Sequence, residues 1–225
     1  MKTVDRKKRR PTRATNYRLL QPAEEPKTAR GRATRRKILR AAEQCFAECG
    51  YSQASVAEIV RRGGVAQGTF YQYFDSKEEI FVELIRALYQ EMAGSTRRGA
   101  ELARGQGRLA VEVEATKSYF QWLADHRELH RILNLMDEVD RNLSVEYYVS
   151  FARSYADSLA EAMEQHEIQR VDPDLLASVL MGANAHVSMR YNLWDDEDGG
   201  EMTDELWEDF AKIIGGALRG ATAGA

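Results

Sequence analysis

Proline is scarce: four residues in 225, three of them within the first 26. Nearly all of the chain is therefore free of the residue that most strongly breaks helices. Apolar residues recur three and four apart, and no stretch alternates convincingly at the two-residue period of a strand, so the fold class expected is all-α. No apolar run approaches the roughly 18 residues of a membrane span, and the N-terminus lacks the apolar segment of a secretory signal. A cytoplasmic location and no membrane partner are expected. The only cysteines, Cys45 and Cys49, stand four apart on an expected helix, where their side-chain vectors do not favour a bridge, and they read as a pair of small reduced core or semi-core residues. Also missing are a phosphate-cradling glycine loop, a Gly-x-Ser-x-Gly elbow and a Cys/His nucleophile pair. His126 and His130 share a spacing of four, but no further metal ligand joins them. Catalysis, metal and cofactor are accordingly not expected.

What is present is an uneven charge. Residues 1–40 carry +12 and the remaining 185 carry −15, which leaves a net charge of −3. A basic arm on an acidic body suits a polyanion, either nucleic acid or an anionic membrane surface. The arm lacks the regular apolar face that surface binding to lipid needs.

Residues 1–31 read as a disordered basic arm, because "DRKKRRPTR" repels itself and Pro22 and Pro26 interrupt any helix. A first helix follows, with Thr34 as its expected N-cap, Ile38, Leu39, Ala42, Cys45, Phe46 and Cys49 on one stripe, and Gly50 at its end. Ser55 with Glu58 has the spacing of a capping box and opens a short second helix that "RRGG" stops. A third helix is expected over 67–74, with Phe70 and Phe74 on its inner side. Ser76 and Glu79 form another capping box, opening a long helix with Ile80, Phe81, Leu84, Ile85, Leu88 and Met92 on one stripe. Further helices are expected near 106–125, 128–140, 143–167, 173–194 and 203–219.

Three short helices, the last two joined by a glycine turn, have the layout of a helix-turn-helix. The last helix of such a unit enters the major groove and offers its first residues to base edges, here Gln67, Gly68, Thr69, Tyr71 and Gln72. Amides can bond adenine, a threonine methyl or tyrosine ring can pack on thymine, and Gly68 would let the backbone approach closely. On spacing alone these residues also fit a plain solvated face with surface tyrosines. Residues 38–84, and above all G-T-F-Y-x-Y-F-x-S-K-E at 68–78, resemble the N-terminal domain of the tetracycline-repressor (TetR-like) family of transcriptional regulators. The resemblance implies an all-helical homodimer, with residues 32–77 as the DNA-binding domain and 78–225 as the ligand-binding and dimerisation domain. It implies contacts to bases or nearby phosphates by Gln67, Thr69, Tyr71 and Gln72, and contacts to phosphate by Ser55, Tyr73 and Lys77. Arg30, Arg32, Arg35 and Arg36 are expected to bind DNA along with the arm, and Arg61, Arg62 and Lys77 to add attraction at the borders of the neutral run 63–76. Two positions depart from the family pattern: Ala66 stands where a capping serine is common, and Gly63 precedes Gly64 in place of alanine.

The acidic body is rich in aromatic and methionine residues on helical stripes, a pattern of core that also lines pockets between helices. Tyr119, Trp122, Leu133, Met136, Tyr148, Phe151, Tyr155, Met181, Asn184 and His186 are the expected ligand-lining set, with His130 and Arg190 as further polar candidates. The last two helices carry Gly182, Ala183, Ala185, Gly215, Gly216 and Ala217, small residues that permit close pairing with a symmetry mate. The expected partners are double-stranded operator DNA, a small, mostly apolar effector and a second copy of the chain. The function this supports is a one-component regulator, read as a repressor that a ligand releases from a palindromic operator. The alternative is a constitutive architectural or division-linked DNA-binding dimer without a ligand.

Overall fold

The structure is a computed structural model and describes residues 25–126, 132–133, 135–192 and 201–219. The arm up to residue 24, His130 and the acidic run at 195–200 lie outside the described residues. Among the described residues there are nine helices and no strand: α1 Ala29–Gln53, α2 Val56–Arg62, α3 Gln67–Phe70, α4 Lys77–Leu102, α5 Arg108–Asp125, α6 Met136–Val139, α7 Arg141–Glu164, α8 Pro173–Asn192 and α9 Asp204–Arg219. None of the described helices is long and apolar enough to cross a membrane.

Helix α1 starts earlier than its sequence suggests. Thr28 is the N-cap, its hydroxyl accepting from the Gly31 amide at 3.0 Å, and residues 29–31 are helical. Thr34 is not a cap. Its hydroxyl lies inside the helix and donates to the Arg30 carbonyl, the back-bonding open to a mid-helix threonine. Gly50, with φ of 75°, breaks α1 near its end. The Ser55 and Ser76 caps form as expected, accepting from the amides of Glu58 and Glu79. Between α2 and α3 the amide of Val65 bonds the carbonyl of Val60 and that of Gly64 bonds Arg61, while Gly64 sits at φ of 51°. This is a Schellman closure, and Gly64 is the residue in it that needs a left-handed backbone.

Ile38, Phe46, Ile59, Phe70, Phe74, Ile80, Phe81 and Ile85 are buried at the centre of the first core, with Phe46 set edge-on to Phe81 at 5.2 Å. This core does not stop at the end of the N-terminal helices. It continues through Leu88, Tyr89 and Met92 of α4 to Trp122, Leu123, Met136, Leu143 and Tyr147. A second core joins α7, α8 and α9 through Leu159, Leu176, Leu180, Phe210, Ile214 and Leu218.

Helices α4 and α5 pack so closely that a Cβ on Gly99 would overlap the Glu114 carbonyl and the Ser118 side chain, whereas one on Gly216 would meet nothing within 4 Å. Overpacking typically costs about 1–3 kcal/mol. Gly99→Ala is therefore expected to lower unfolding free energy by that amount in urea titration.

Candidate nucleic-acid interface and interhelical cavity

Helix α3 is shorter than expected, ending at Phe70, and turns carry the chain on to Phe74 through amide bonds from Tyr73 and Phe74 to the Phe70 carbonyl. Ala66 offers no side-chain cap, which helps explain the brevity. Phe70 and Phe74 are sunk in the core with their ring centres 5.7 Å apart, so they fix which way the segment faces. Gln67, Gly68, Tyr71 and Gln72 are exposed on the outer side, and Thr69 and Tyr73 are half-buried. A Cβ on Gly68 would meet nothing within 4 Å. No packing inside the chain requires glycine there. Ser55 is exposed at the start of α2.

The positive charges are arranged differently from expectation. Arg35 is buried rather than offered to a partner: it pairs with Glu83 of α4, which also holds Arg86, and its guanidinium lies 5.4 Å from the Phe74 ring centre. Its charge ties α1 to α4, because the buried carboxylate attracts it more closely than a surface position would allow. Lys77, expected on phosphate, donates to the carbonyls of Tyr51 at 2.7 Å and Ala54 at 3.0 Å and sits over the Tyr51 ring. Arg32 donates to the carbonyls of Pro26 and Lys27. Arg61 and Arg62 share the carboxylate of Glu58, whose pKa their hydrogen bonds pull down to about 2, and Arg62 also pairs with Glu48. Their attraction at the border is thus largely balanced. Arg36 is exposed and, with Lys37, Arg40 and Arg62, lines a shallow concavity between α1 and the end of α2. Lys37 and Arg40 were not among the expected contacts, although the spacing of 36, 37 and 40 on one helix face signals such a group.

In the C-terminal helices a cavity of about 1260 Å³ opens between α4, α5, α7 and α8. Tyr119, Leu133, Tyr148, Phe151, Tyr155, Met181 and Asn184 of the expected set line it. Trp122 and Met136 do not. They are buried in the first core, where Trp122 stacks on His126. His186 is exposed on α8 and also lies outside the lining, because α8 turns its face with Asn184 and Ser188 inward. Residues beyond the expected set complete the wall, chiefly Tyr89, Met92, Arg108, Glu112, Tyr147 and Ser150. The Arg108 guanidinium bonds Glu112 at 2.7 Å, and the Tyr155 hydroxyl donates to the same carboxylate. Burial raises the pKa of Tyr119 and Tyr147, and burial together with Glu112 raises that of Tyr155. Those three hydroxyls keep their protons at ordinary pH.

Outside the cavity, Leu175 and Val179 on α8 and Ile213 on α9 are 64%, 54% and 71% exposed, and Gly182, Ala183 and Gly216 are exposed as well. Each of the two helices thus leaves apolar and small residues uncovered.

A family model described as bacterial regulatory proteins of the tetR family matches residues 38–84. The HTH-type transcriptional repressor Rv1474c of Mycobacterium tuberculosis is 31% identical over 150 residues, covering 66% of this chain and 74% of that protein. The structure of Salmonella enterica GusR is similar with a TM-score of 0.70 at 23% identity, over 86% of this chain and 99% of that one. FadR of Bacillus subtilis, in complex with stearoyl-CoA, is similar with a TM-score of 0.63 at 22% identity, over 83% and 98% of the two chains. At these identities the two solved structures establish likeness of fold.

Two substitutions separate contact from architecture. Gly68→Ala should leave stability unchanged or raise it by about 0.4–1 kcal/mol in urea, yet weaken DNA binding in an anisotropy titration. Arg35→Met should instead lower stability by about 1–3 kcal/mol, because Glu83 loses one charge-assisted bond while keeping Arg86, and leave the salt slope of binding intact, which Lys37→Ala should flatten by about one phosphate's worth.

Proposed function

With the chain a member of the tetR family of bacterial regulatory proteins, we propose that it is a one-component repressor that binds a palindromic operator as a homodimer and releases it when a small, mostly apolar effector fills the C-terminal cavity. The observation that carries this reading is one helix serving two sites. Helix α4 holds Lys77, Ile80 and Phe81 against the helix-turn-helix and presents Tyr89, Met92 and Thr96 to the cavity.

On the DNA side, Gln67, Thr69, Tyr71 and Gln72 read bases while Ser55, Tyr73 and Arg36 meet phosphate. Neutral amide, hydroxyl and aromatic groups discriminate base edges, and the cations outside α3 supply attraction that does not depend on sequence. The chain segment before residue 25 extends that attraction. The α2 N-terminus beside Ser55 adds unpaired amides that favour a phosphate.

On the other side, the uncovered apolar and small residues of α8 and α9 pair with their copies, which sets the spacing of two heads. An effector that binds better when the heads are wrongly spaced draws the population away from DNA by its difference in affinity for the two states. Lining residues of α4 move with it, and the Lys77 tie carries the shift to the junction of α1 and α2. The stearoyl-CoA held by the FadR relative is in keeping with an apolar effector in a fold of this kind, and the size of the cavity favours this over a constitutive binder with a filled core. Such a regulator acts in the cytoplasm.

Selection of DNA from a random pool by the full chain tests the reading. Two inverted half-sites, bound by two chains or a multiple of two, are expected, and Gln67→Ala should relax preference at one position by about 1–3 kcal/mol. Enrichment of no sequence, or of single half-sites by a monomer, would refute it.

A further inference from the structure

Cys45 and Cys49 are the two cysteines of the chain, and neither the DNA face nor the cavity uses them. Packing accounts for the first. Cys45 is fully buried in the first core, where a thiol serves as a small apolar group. Cys49 lies one turn further along α1 and is exposed, so packing does not account for it. The two sulfur atoms nevertheless stand 3.7 Å apart, unbonded, and the Cys49 thiol donates to the Cys45 carbonyl at 2.8 Å. A thiol open to solvent thus sits directly over a thiol sealed beneath it.

A bond between them is within reach and has a mechanical consequence. Cα atoms four apart in a regular helix are about 6 Å apart, inside the span of about 4.4–6.8 Å that a disulfide bridges. Their Cβ atoms, at about 5–6 Å, must close by about 1–2 Å to reach bonding geometry, so the last turn of α1 has to tighten. That turn is free to do so on one side. Gly50, the next residue, has already left helical geometry at φ of 75°, and a Cβ there would meet nothing within 4 Å. Directly beyond it lie the contacts that fix the start of α4. The Gly50 carbonyl accepts from the Ala54 amide at 3.2 Å, the Tyr51 ring stacks on Phe46 at 5.8 Å, and the Tyr51 carbonyl accepts from Lys77 at 2.7 Å.

We propose that Cys45 and Cys49 close a reversible disulfide in response to a peroxide, and that closing it pulls on Tyr51, loosens the Lys77 tie and lowers affinity for DNA. The effect on DNA rests on the function proposed above, whereas formation of the bond does not. Access sets the order of events. The exposed Cys49 sulfur attacks the peroxide, whose O–O bond breaks, leaving a sulfenic acid on Cys49 and water or an alcohol. The Cys45 sulfur then attacks the Cys49 sulfur, the S–O bond breaks, and the hydroxyl leaves with the Cys45 proton as water. Two thiols are oxidised and one peroxide is reduced. A dithiol reductant restores both thiols by exchange through a mixed disulfide. In a reducing compartment a disulfide of this kind is transient and serves sensing rather than stability.

Treating the full chain with a small excess of hydrogen peroxide and weighing it intact should show a single chain lighter by two hydrogen atoms, restored by dithiothreitol. Hydrogen exchange of the oxidised chain should quicken at 50–56. Affinity for DNA that the chain has selected should fall about tenfold, the worth of one charge-assisted hydrogen bond, and recover on reduction. Cys49→Ser, at an exposed position, and Cys45→Ala should each abolish the loss of hydrogen and make DNA binding indifferent to peroxide, and Cys45→Ala should leave Cys49 carrying oxygen instead. No loss of hydrogen, a bond joining two chains through Cys49, or a closed bond that leaves exchange at 50–56 and DNA affinity unchanged would overturn the inference. A chain that selects no DNA would refute the function proposed above, and mass with exchange would still decide this one.

Discussion

The ammonium of Lys77, at the first residue of α4, is fixed by the carbonyls of Tyr51 and Ala54 and by the ring of Tyr51. These carbonyls belong to the junction where α1 ends and α2 begins, a place with no regular partner for them because Gly50 has broken the helix. The lysine satisfies both and locks the start of α4 to the unit that positions α3. Arg35 with Glu83 repeats the arrangement one helical stretch further along α4. Two cations that surface logic would offer to a polyanion therefore hold the frame. Because α4 is anchored twice at its N-terminal end and forms cavity wall beyond Tyr89, its position cannot change at one end without strain at the other. Closely packed cores switch between arrangements more readily than they deform.

That constraint explains how the outer face of α3 can be neutral. The residues of 67–72 need only be aimed, and Phe70 and Phe74 aim them from within the core. On the function proposed, attraction comes from elsewhere, from Arg36, Lys37 and Arg40, which line the concavity beside α1. Discrimination and attraction would then be carried by different elements.

Much of this was legible from sequence because it is local. Ser55 with Glu58 and Ser76 with Glu79 declare two helix starts at a spacing of three, Gly63 and Gly64 declare the turn between α2 and α3, and the apolar stripe of α4 declares its inner side. What was not legible depends on neighbours distant in the chain. Burial of Arg35 is decided by Glu83, 48 residues away, and no local pattern announces it. The expected cavity wall departs from the observed one for the same reason: Trp122 stands three positions from Tyr119 on α5, yet Tyr119 lines the cavity and Trp122 is buried in the core. Thr28 is not signalled as a cap because Pro26, two residues before it, extends the irregular chain and no glutamate or glutamine follows at the capping-box spacing.

The central claim is that the DNA face and the cavity are coupled through α4. Coupling is reciprocal, so DNA must be felt in the cavity even with no effector present. Hydrogen exchange of the full chain, with and without DNA that it has selected, measures this directly. The account predicts slowed exchange at 67–74 together with altered exchange in the α4 segment 89–100. Changes confined to residues 28–77, with the cavity segment untouched, would contradict it.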